Sequence, residues 1–261
     1  MKRDEKMEDI ILQVKKLKKV YGLHTQNEFE ALHDIDFEVR EGEFICIMGP
    51  SGSGKSTFIN NISTIDMPTS GLVYIDGVEV KTMSANEIGR FRYKNLGFVF
   101  QDFHLLDTHT LYENIAMPLS LAKIKREEIH QRVEDIAKKM NIFELLKKYP
   151  YECSGGQKQR AAICRALIAR PKMIIADEPT GNLDSANSQE LLNIFKYLNE
   201  QGVTIIMVTH DPMIASYSSR LIYIKDGKIQ ETIKRELLNQ EDFFQKIVEL
   251  NSSESKKLIS K

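Results

Sequence analysis

One octapeptide restricts the fold of this chain more than any other stretch. Gly49-Pro50-Ser51-Gly52-Ser53-Gly54-Lys55-Ser56 fits G-x-x-x-x-G-K-[ST] at every fixed position. Such a loop reads a phosphate only when a buried strand delivers it and a helix leaves it, because successive backbone N–H groups and the helix N-terminus together make the anion cradle. Both flanks fit. Before the loop, Phe44, Ile45, Cys46, Ile47 and Met48 form an apolar run of strand length, and after it Ser56 to Ser63 contains no glycine or proline to stop a helix. The glycines at 49, 52 and 54 let N–H groups curl around a β-phosphate. Lys55 can reach the β- and γ-phosphates, the Ser56 hydroxyl can ligate Mg2+, and Pro50, Ser51, Ser53 and Thr57 complete the loop and first turn.

A second helix start built for an anion lies much later. In Ser154-Gly155-Gly156-Gln157, followed by Lys158-Gln159-Arg160, Ser154 is a good N-cap and Gln157 three residues on completes a capping box. The two glycines leave bare N–H groups, toward which the helix dipole favours negative charge. After both, Met173-Ile174-Ile175-Ala176-Asp177-Glu178 reads as a buried parallel strand ending in two acids. Asp177 is placed to hold Mg2+ directly or through water, and Glu178 to polarise an attacking water on the γ-phosphate side. Pro179-Thr180-Gly181-Asn182-Leu183-Asp184 follows.

These motifs, in this order, resemble the ATP-binding cassette (ABC) ATPases, and the resemblance covers residues 10 to 230. It implies that the Ser154 tetrad of one subunit closes on the ATP held by the phosphate loop of another, so the chain would work as an ATP-dependent dimer. It implies further roles as well. Gln101, after the apolar stretch Leu96 to Phe100, would sense the γ-phosphate and Mg2+. His210, after Val203 to Val208, would contact the γ-phosphate. Asp184 belongs to a loop that faces the opposite subunit's site. Tyr21 sits where the family places an aromatic that stacks on adenine, although an aromatic after a strand equally serves core or edge packing. The pattern departs from the family at Cys153, where leucine is usual; a small apolar side chain there keeps the backbone donors of the tetrad.

Composition narrows the partners. A net charge of -1 gives no basic excess for nucleic acid. The four lysines Lys15, Lys16, Lys18 and Lys19 either favour an anionic membrane surface or form the solvated face of a strand. The first residues, MKRDEKMED, carry charges of both signs with no apolar signal core, and no apolar stretch approaches a membrane span. The expectation is a cytoplasmic chain, and the resemblance implies that a separate permease holds it at the inner face of the cell membrane. Cys46, Cys153 and Cys164 form no C-x-x-C pair and read as reduced thiols. None of the six histidines has a metal-like spacing with cysteine or acid.

Strand and helix patterns alternate in the manner of an α/β fold. We expect a P-loop NTPase (RecA-like) ABC nucleotide-binding domain over 8–232, with an antiparallel β-subdomain and an inserted helical subdomain at about 103–165. The antiparallel part is signalled by Ile11 to Val20, by alternating Ile35, Phe37 and Val39, and by Leu72 to Ile75 before Asp76-Gly77. In the insertion, Thr110 and Glu113 make a capping box, and Ile129, Val133, Ile136, Ala137 and Met140 trace one helix face; the family docks its membrane partner on this lobe. A last hairpin, Leu221 to Ile224 and Lys228 to Thr232, precedes a tail over 233–261 that reads as a short helix and then disorder. Its apolar positions Phe243, Phe244, Ile247, Val248 and Leu250 would dock on the chain's own core or on a partner.

The runs Ile47 to Ser56, Gly97 to Gln101 and Ala176 to Ser185 are similar to the branch serving macrolide exporters and lipoprotein release. Within it, Phe100-Gln101-Asp102-Phe103 to Leu106-Asp107, Tyr149-Pro150 and the tail Phe243-Phe244-Gln245 resemble the ATPases of bacitracin and lantibiotic resistance transporters of Gram-positive bacteria. The resemblance implies a permease with a large extracellular domain and export or detoxification of peptide antibiotics. Lipoprotein release, macrolide export or signalling to cell-wall hydrolases is the alternative within the branch. A soluble ABC protein on DNA or ribosomes is disfavoured by the single cassette and by the lack of room for a coiled-coil arm between phosphate loop and tetrad.

Overall fold

A computed structural model describes the backbone of residues 10–259 and the side chains of residues 10–253. In chain order it contains β1 (Ile10–Tyr21), β2 (Phe29–Arg40), β3 (Phe44–Met48), α1 (Lys55–Ile62), β4 (Ser70–Ile75), β5 (Val78–Glu79), α2 (Ala85–Asn95) and β6 (Leu96–Phe100). There follow α3 (Leu111–Leu121), α4 (Arg126–Lys139), α5 (Gly155–Leu167), β7 (Met173–Asp177) and α6 (Ser185–Glu200). The chain ends with β8 (Thr204–Val208), α7 (Pro212–Ala215), β9 (Arg220–Lys225), β10 (Lys228–Lys234) and α8 (Gln240–Ile259). Two compact units result, one of residues up to Ser84 with those from Asn199 onward, the other Ala85–Leu198.

The first unit holds the antiparallel sheet β2-β1-β4-β5 and, in the second sheet, the strand run β10-β9-β3-β8. All five residues of β3 are buried, as a strand hydrogen-bonded in parallel to β8 on one side and β9 on the other requires. That burial fixes the height at which the chain leaves β3 and begins the phosphate loop. In β1 the register against β2 shifts between Val14 and Leu17, where Lys16 takes a left-handed φ of 49°. The bulge turns the lysines toward acids of the same unit. Lys16 pairs with Asp36 at 2.8 Å, Lys18 with Glu30 at 2.9 Å and Lys19 with Asp66 at 2.7 Å. The hydrogen bond that Lys16 donates to Asp36 raises its pKa, and the one to Glu30 raises that of Lys18. Three of the four lysines are thus paired with acids, and the Lys15 ammonium lies 5.5 Å from the Tyr74 ring centre.

Helix α8 settles how the tail is used. Phe243 and Ile247, four residues apart and buried, pack with Cys46, Met48, Ala215, Leu221 and Tyr223, so the tail docks on the core behind β3. Two features of the expected tail need correction. Strand β10 runs to Lys234, two residues past the expected boundary at 232, and α8 continues to Ile259, so 252–259 is helical rather than disordered. That stretch contains neither glycine nor proline to end a helix. Residues 8 and 9 at the expected start and 260 and 261 at the end lie outside the described residues.

In the second unit β6 and β7 pair in parallel, and α3, α4 and α5 pack on one another as the helical insertion. The Thr110–Glu113 capping box is present in full at the start of α3. One turn in, the fully buried Asn114 ties down the segment before the helix: its Oδ1 accepts from the Leu106 N–H at 2.7 Å, and its Nδ2 donates to the carbonyls of Leu106, His109 and Thr110. Helix α6 buries a stripe of Leu191, Leu192, Phe195 and Leu198 at helical spacing. Polar α2 buries only Asn95.

Candidate nucleotide site

The phosphate loop lies in the first unit. Gly49 has φ 153°, and a Cβ there would meet the Ile224 carbonyl oxygen at 1.9 Å, so no other residue fits. At the start of α1, Gly54 takes the N-cap position with φ 101° and gives no side-chain cap, which leaves the first turn to the backbone and to whatever anion it meets. The Lys55 ammonium donates to the carbonyls of Gly49 and Pro50, both at 2.8 Å, and lies across the loop. Ser53 Oγ is buried without a hydrogen-bond partner. An orphaned hydroxyl, an uncapped helix start and a lysine spanning the loop fit a bound phosphate. Ser51, Gly52 and Ser56 are exposed, with Pro50 and Thr57 half-buried.

Two more expected residues share this unit. Tyr21 is 41% exposed at the end of β1, with its hydroxyl donating to Asp66 Oδ2 at 3.2 Å and the Lys19 ammonium 5.0 Å from its ring centre. The ring is part-exposed rather than packed into the core. His210 is exposed in the turn after β8, whose shape is set by Asp211: its N–H donates to Thr209 Oγ1 at 3.1 Å, and its Oδ1 accepts from Met213 N–H at 2.7 Å to cap α7.

In the second unit the tetrad forms the start of α5 as its sequence dictates. Ser154 Oγ accepts from the Gln157 N–H at 3.3 Å, and the Ser154 N–H donates to Gln157 Oε1 at 3.0 Å. Gly156 is squeezed: a Cβ there would lie 2.1 Å from Asn187 Oδ1. Cys153 is buried, its thiol directed to the Tyr149 carbonyl at 3.5 Å, and burial pushes its pKa up, so it acts as an inert apolar support.

At the end of β7, Asp177 and Glu178 are half-buried, and Glu178 has φ 45°. A carboxylate residue in the left-handed region after a strand is a strained placement of the kind found where function demands it. Gln101, exposed after β6, lies against Gly181, whose added Cβ would sit 2.8 Å from Gln101 Cδ. Asp184 holds the start of α6, with Oδ1 accepting from the Asn187 N–H at 2.8 Å and Oδ2 from Asn187 Nδ2 at 2.8 Å; the backbone bond, first, holds its carboxyl below the usual range. The second unit therefore gathers the Gln101 loop, the tetrad and the loop to Asp184. Asn182, Asn187 and Arg165 join them, and the sequence assigns none of the three a role; the D-x-x-N spacing of Asp184 and Asn187 is the one local signal, that of a helix cap.

Among the described residues no group of three or more His, Cys, Asp or Glu side chains could hold a metal ion. The expected ligands Ser56, Gln101 and Asp177 offer a hydroxyl, an amide and one carboxylate. That set suits Mg2+, which keeps waters and takes ligands from substrate phosphates, rather than a metal needing a full protein cage.

The family model described as ABC transporter matches residues 32–181. The chain is 46% identical over 239 residues to a protein named bacitracin export ATP-binding protein BceA of Halalkalibacterium halodurans, covering 91% of this chain and 94% of that one. It is 47% identical to the ABC transporter ATP-binding protein YxdL of Bacillus subtilis, over 93% of each. Among solved structures, the ATP-binding cassette MJ0796, a dimer bound to ADP and Pi in a post-hydrolysis state, aligns with a TM-score of 0.79 at 38% identity, over 85% of this chain and 98% of that one. No helix among the described residues is long and apolar enough to cross a membrane. With its P-loop core, antiparallel sheet and helical insertion, the chain belongs to the ABC transporter family, as an ATPase that uses ATP with Mg2+ and whose relatives act alongside membrane permeases.

Proposed function

We propose that this chain powers the export or detoxification of peptide antibiotics through a separate membrane permease with a large extracellular domain. In this reading residues 8–232 form the ATPase domain, 103–165 its helical subdomain, and the chain sits on the inner face of the cell membrane through the permease. Tyr21 stacks on adenine; Gly49 to Thr57 wrap the phosphates, with Lys55 on the β- and γ-phosphates. Ser56, Gln101 and Asp177 hold Mg2+, Glu178 polarises the water, and His210 contacts the γ-phosphate. Ser154 to Gln157 and Asp184 serve the site of a second copy.

The observation that carries the ATPase mechanism is the self-capped start of α5. Because Ser154 and Gln157 satisfy each other's backbone groups, the helix start is stable by itself and remains available to an anion brought from outside the subunit. The substrate class rests on the likeness to the Halalkalibacterium protein and on the sequence features at 100–107 and 243–245. Its test is a strain carrying Glu178→Gln, in which bacitracin-like or lantibiotic peptides should inhibit growth at lower doses than in the parent. Equal sensitivity to such peptides, with macrolide tolerance or lipoprotein placement altered instead, would transfer the protein to the alternative branch.

A further inference from the structure

The segment carrying Gln101 is held from two sides, by Asn182 and by Arg165, to neither of which the sequence assigns a role. From the loop after β7, Asn182 Nδ2 donates to the Gln101 carbonyl at 3.1 Å and to Asp102 Oδ1 at 2.9 Å. From α5, Arg165 spreads its guanidinium over the next two peptides, donating through Nη2 to the Phe103 carbonyl at 2.7 Å and through Nη1 to the His104 carbonyl. Those two residues are both left-handed, with φ 58° and 47°, a conformation uncommon outside glycine, and two in succession call for something to hold them in place. The Phe103 ring is also within 5.6 Å of the Lys158 ammonium, from the second turn of the same helix. The guanidinium of Arg165 is half-buried, and the loop carbonyls satisfy its donors.

We infer that Arg165 and Asn182 are positioning residues for Gln101. They fasten residues 101–104 to the helix that begins at Ser154 and to the loop that leads to Asp184, so the Gln101 amide is set by both. Neither needs to touch nucleotide. Arg165 lies three turns along the helix from the tetrad and acts through backbone carbonyls; Asn182 acts through the carbonyl of Gln101 itself. A planar fork is required to reach two successive carbonyls, so lysine cannot replace the arginine. The inference rests on the reading of Gln101 as a Mg2+-linked group.

The test uses the purified full chain, with turnover measured against Mg2+ concentration and ATP affinity measured in EDTA. Arg165→Lys and Asn182→Ala should each raise the Mg2+ needed for half-maximal turnover about fivefold, the value of one lost hydrogen bond. Metal-free ATP affinity and the melting temperature should stay near those of the parent. Placed on Gln101→Ala, either substitution should add nothing, since the group it positions is already gone. Effects that add in full on that background, or an unchanged Mg2+ requirement in folded Arg165→Lys and Asn182→Ala, would overturn the positioning role. If Gln101→Ala itself leaves the Mg2+ requirement unchanged, the metal role of Gln101 falls, and the inference with it.

Discussion

The two helix starts proposed to read phosphate are built on opposite plans. At α1 the cap position is a left-handed glycine with no side-chain cap, and the loop around it contains a buried hydroxyl with no partner. At α5 serine and glutamine close a complete capping box. The first start depends on an anion to satisfy it, and suits a site that keeps its nucleotide. The second is complete without one, and suits a surface that engages a phosphate in one state and releases it in the next.

Substitutions can break or sharpen this contrast. Glu178→Gln leaves both helix starts intact, and so sets the reference: turnover should fall by roughly 100- to 10,000-fold with ATP affinity unchanged, read by phosphate release and equilibrium binding. Lys55→Ala strikes the first start, and ATP affinity of the isolated chain should fall roughly 10- to 100-fold, as loss of a charge-assisted bond implies. Ser154→Ala strikes the second. It should cost about 1 kcal/mol of stability in denaturant unfolding, the worth of an N-cap, and leave ATP affinity of the isolated chain as it was. A loss of affinity matching that of Lys55→Ala would erase the distinction between the two starts.

The smallest effect concerns acid. The carboxyl of Asp184 titrates lower in the folded chain than its ordinary value because Asn187 donates to it. Its stabilising contribution is therefore present above the unfolded pKa and lost as pH falls through the folded one. Asp184→Asn should flatten that part of the melting temperature's dependence on pH, below about pH 4. An unchanged acid limb would detach Asp184 from the start of α6.

Where a feature depends on local pattern, the residues disclose it. The strand before the phosphate loop, the Ser154–Gln157 and Thr110–Glu113 boxes, and the apolar positions Phe243 and Ile247 all obey short-range rules of burial, capping or helical spacing. What stayed hidden depends on residues distant in the chain meeting in space. Arg165 is an ordinary helix residue until Phe103 and His104 come to it; Asn182 reads as a turn residue until it reaches Gln101. The lysines of β1 looked available because their acids, Asp36, Glu30 and Asp66, lie on other elements. Length of the last helix was misjudged because polarity was read as disorder, although a polar segment free of glycine and proline can continue a helix anchored by Phe243.

The central claim is that the Ser154 helix start completes the ATP site of a second copy. Two purified variants test it by mixing: Lys55→Ala, with an impaired phosphate loop and an intact tetrad, and Ser154→Arg, with the reverse. A mixed dimer contains one site in which both parts are intact. ATP turnover well above the sum of the two separate variants is the predicted result. Turnover that remains at that sum, with both variants folded and Ser154→Arg still binding ATP, would contradict it.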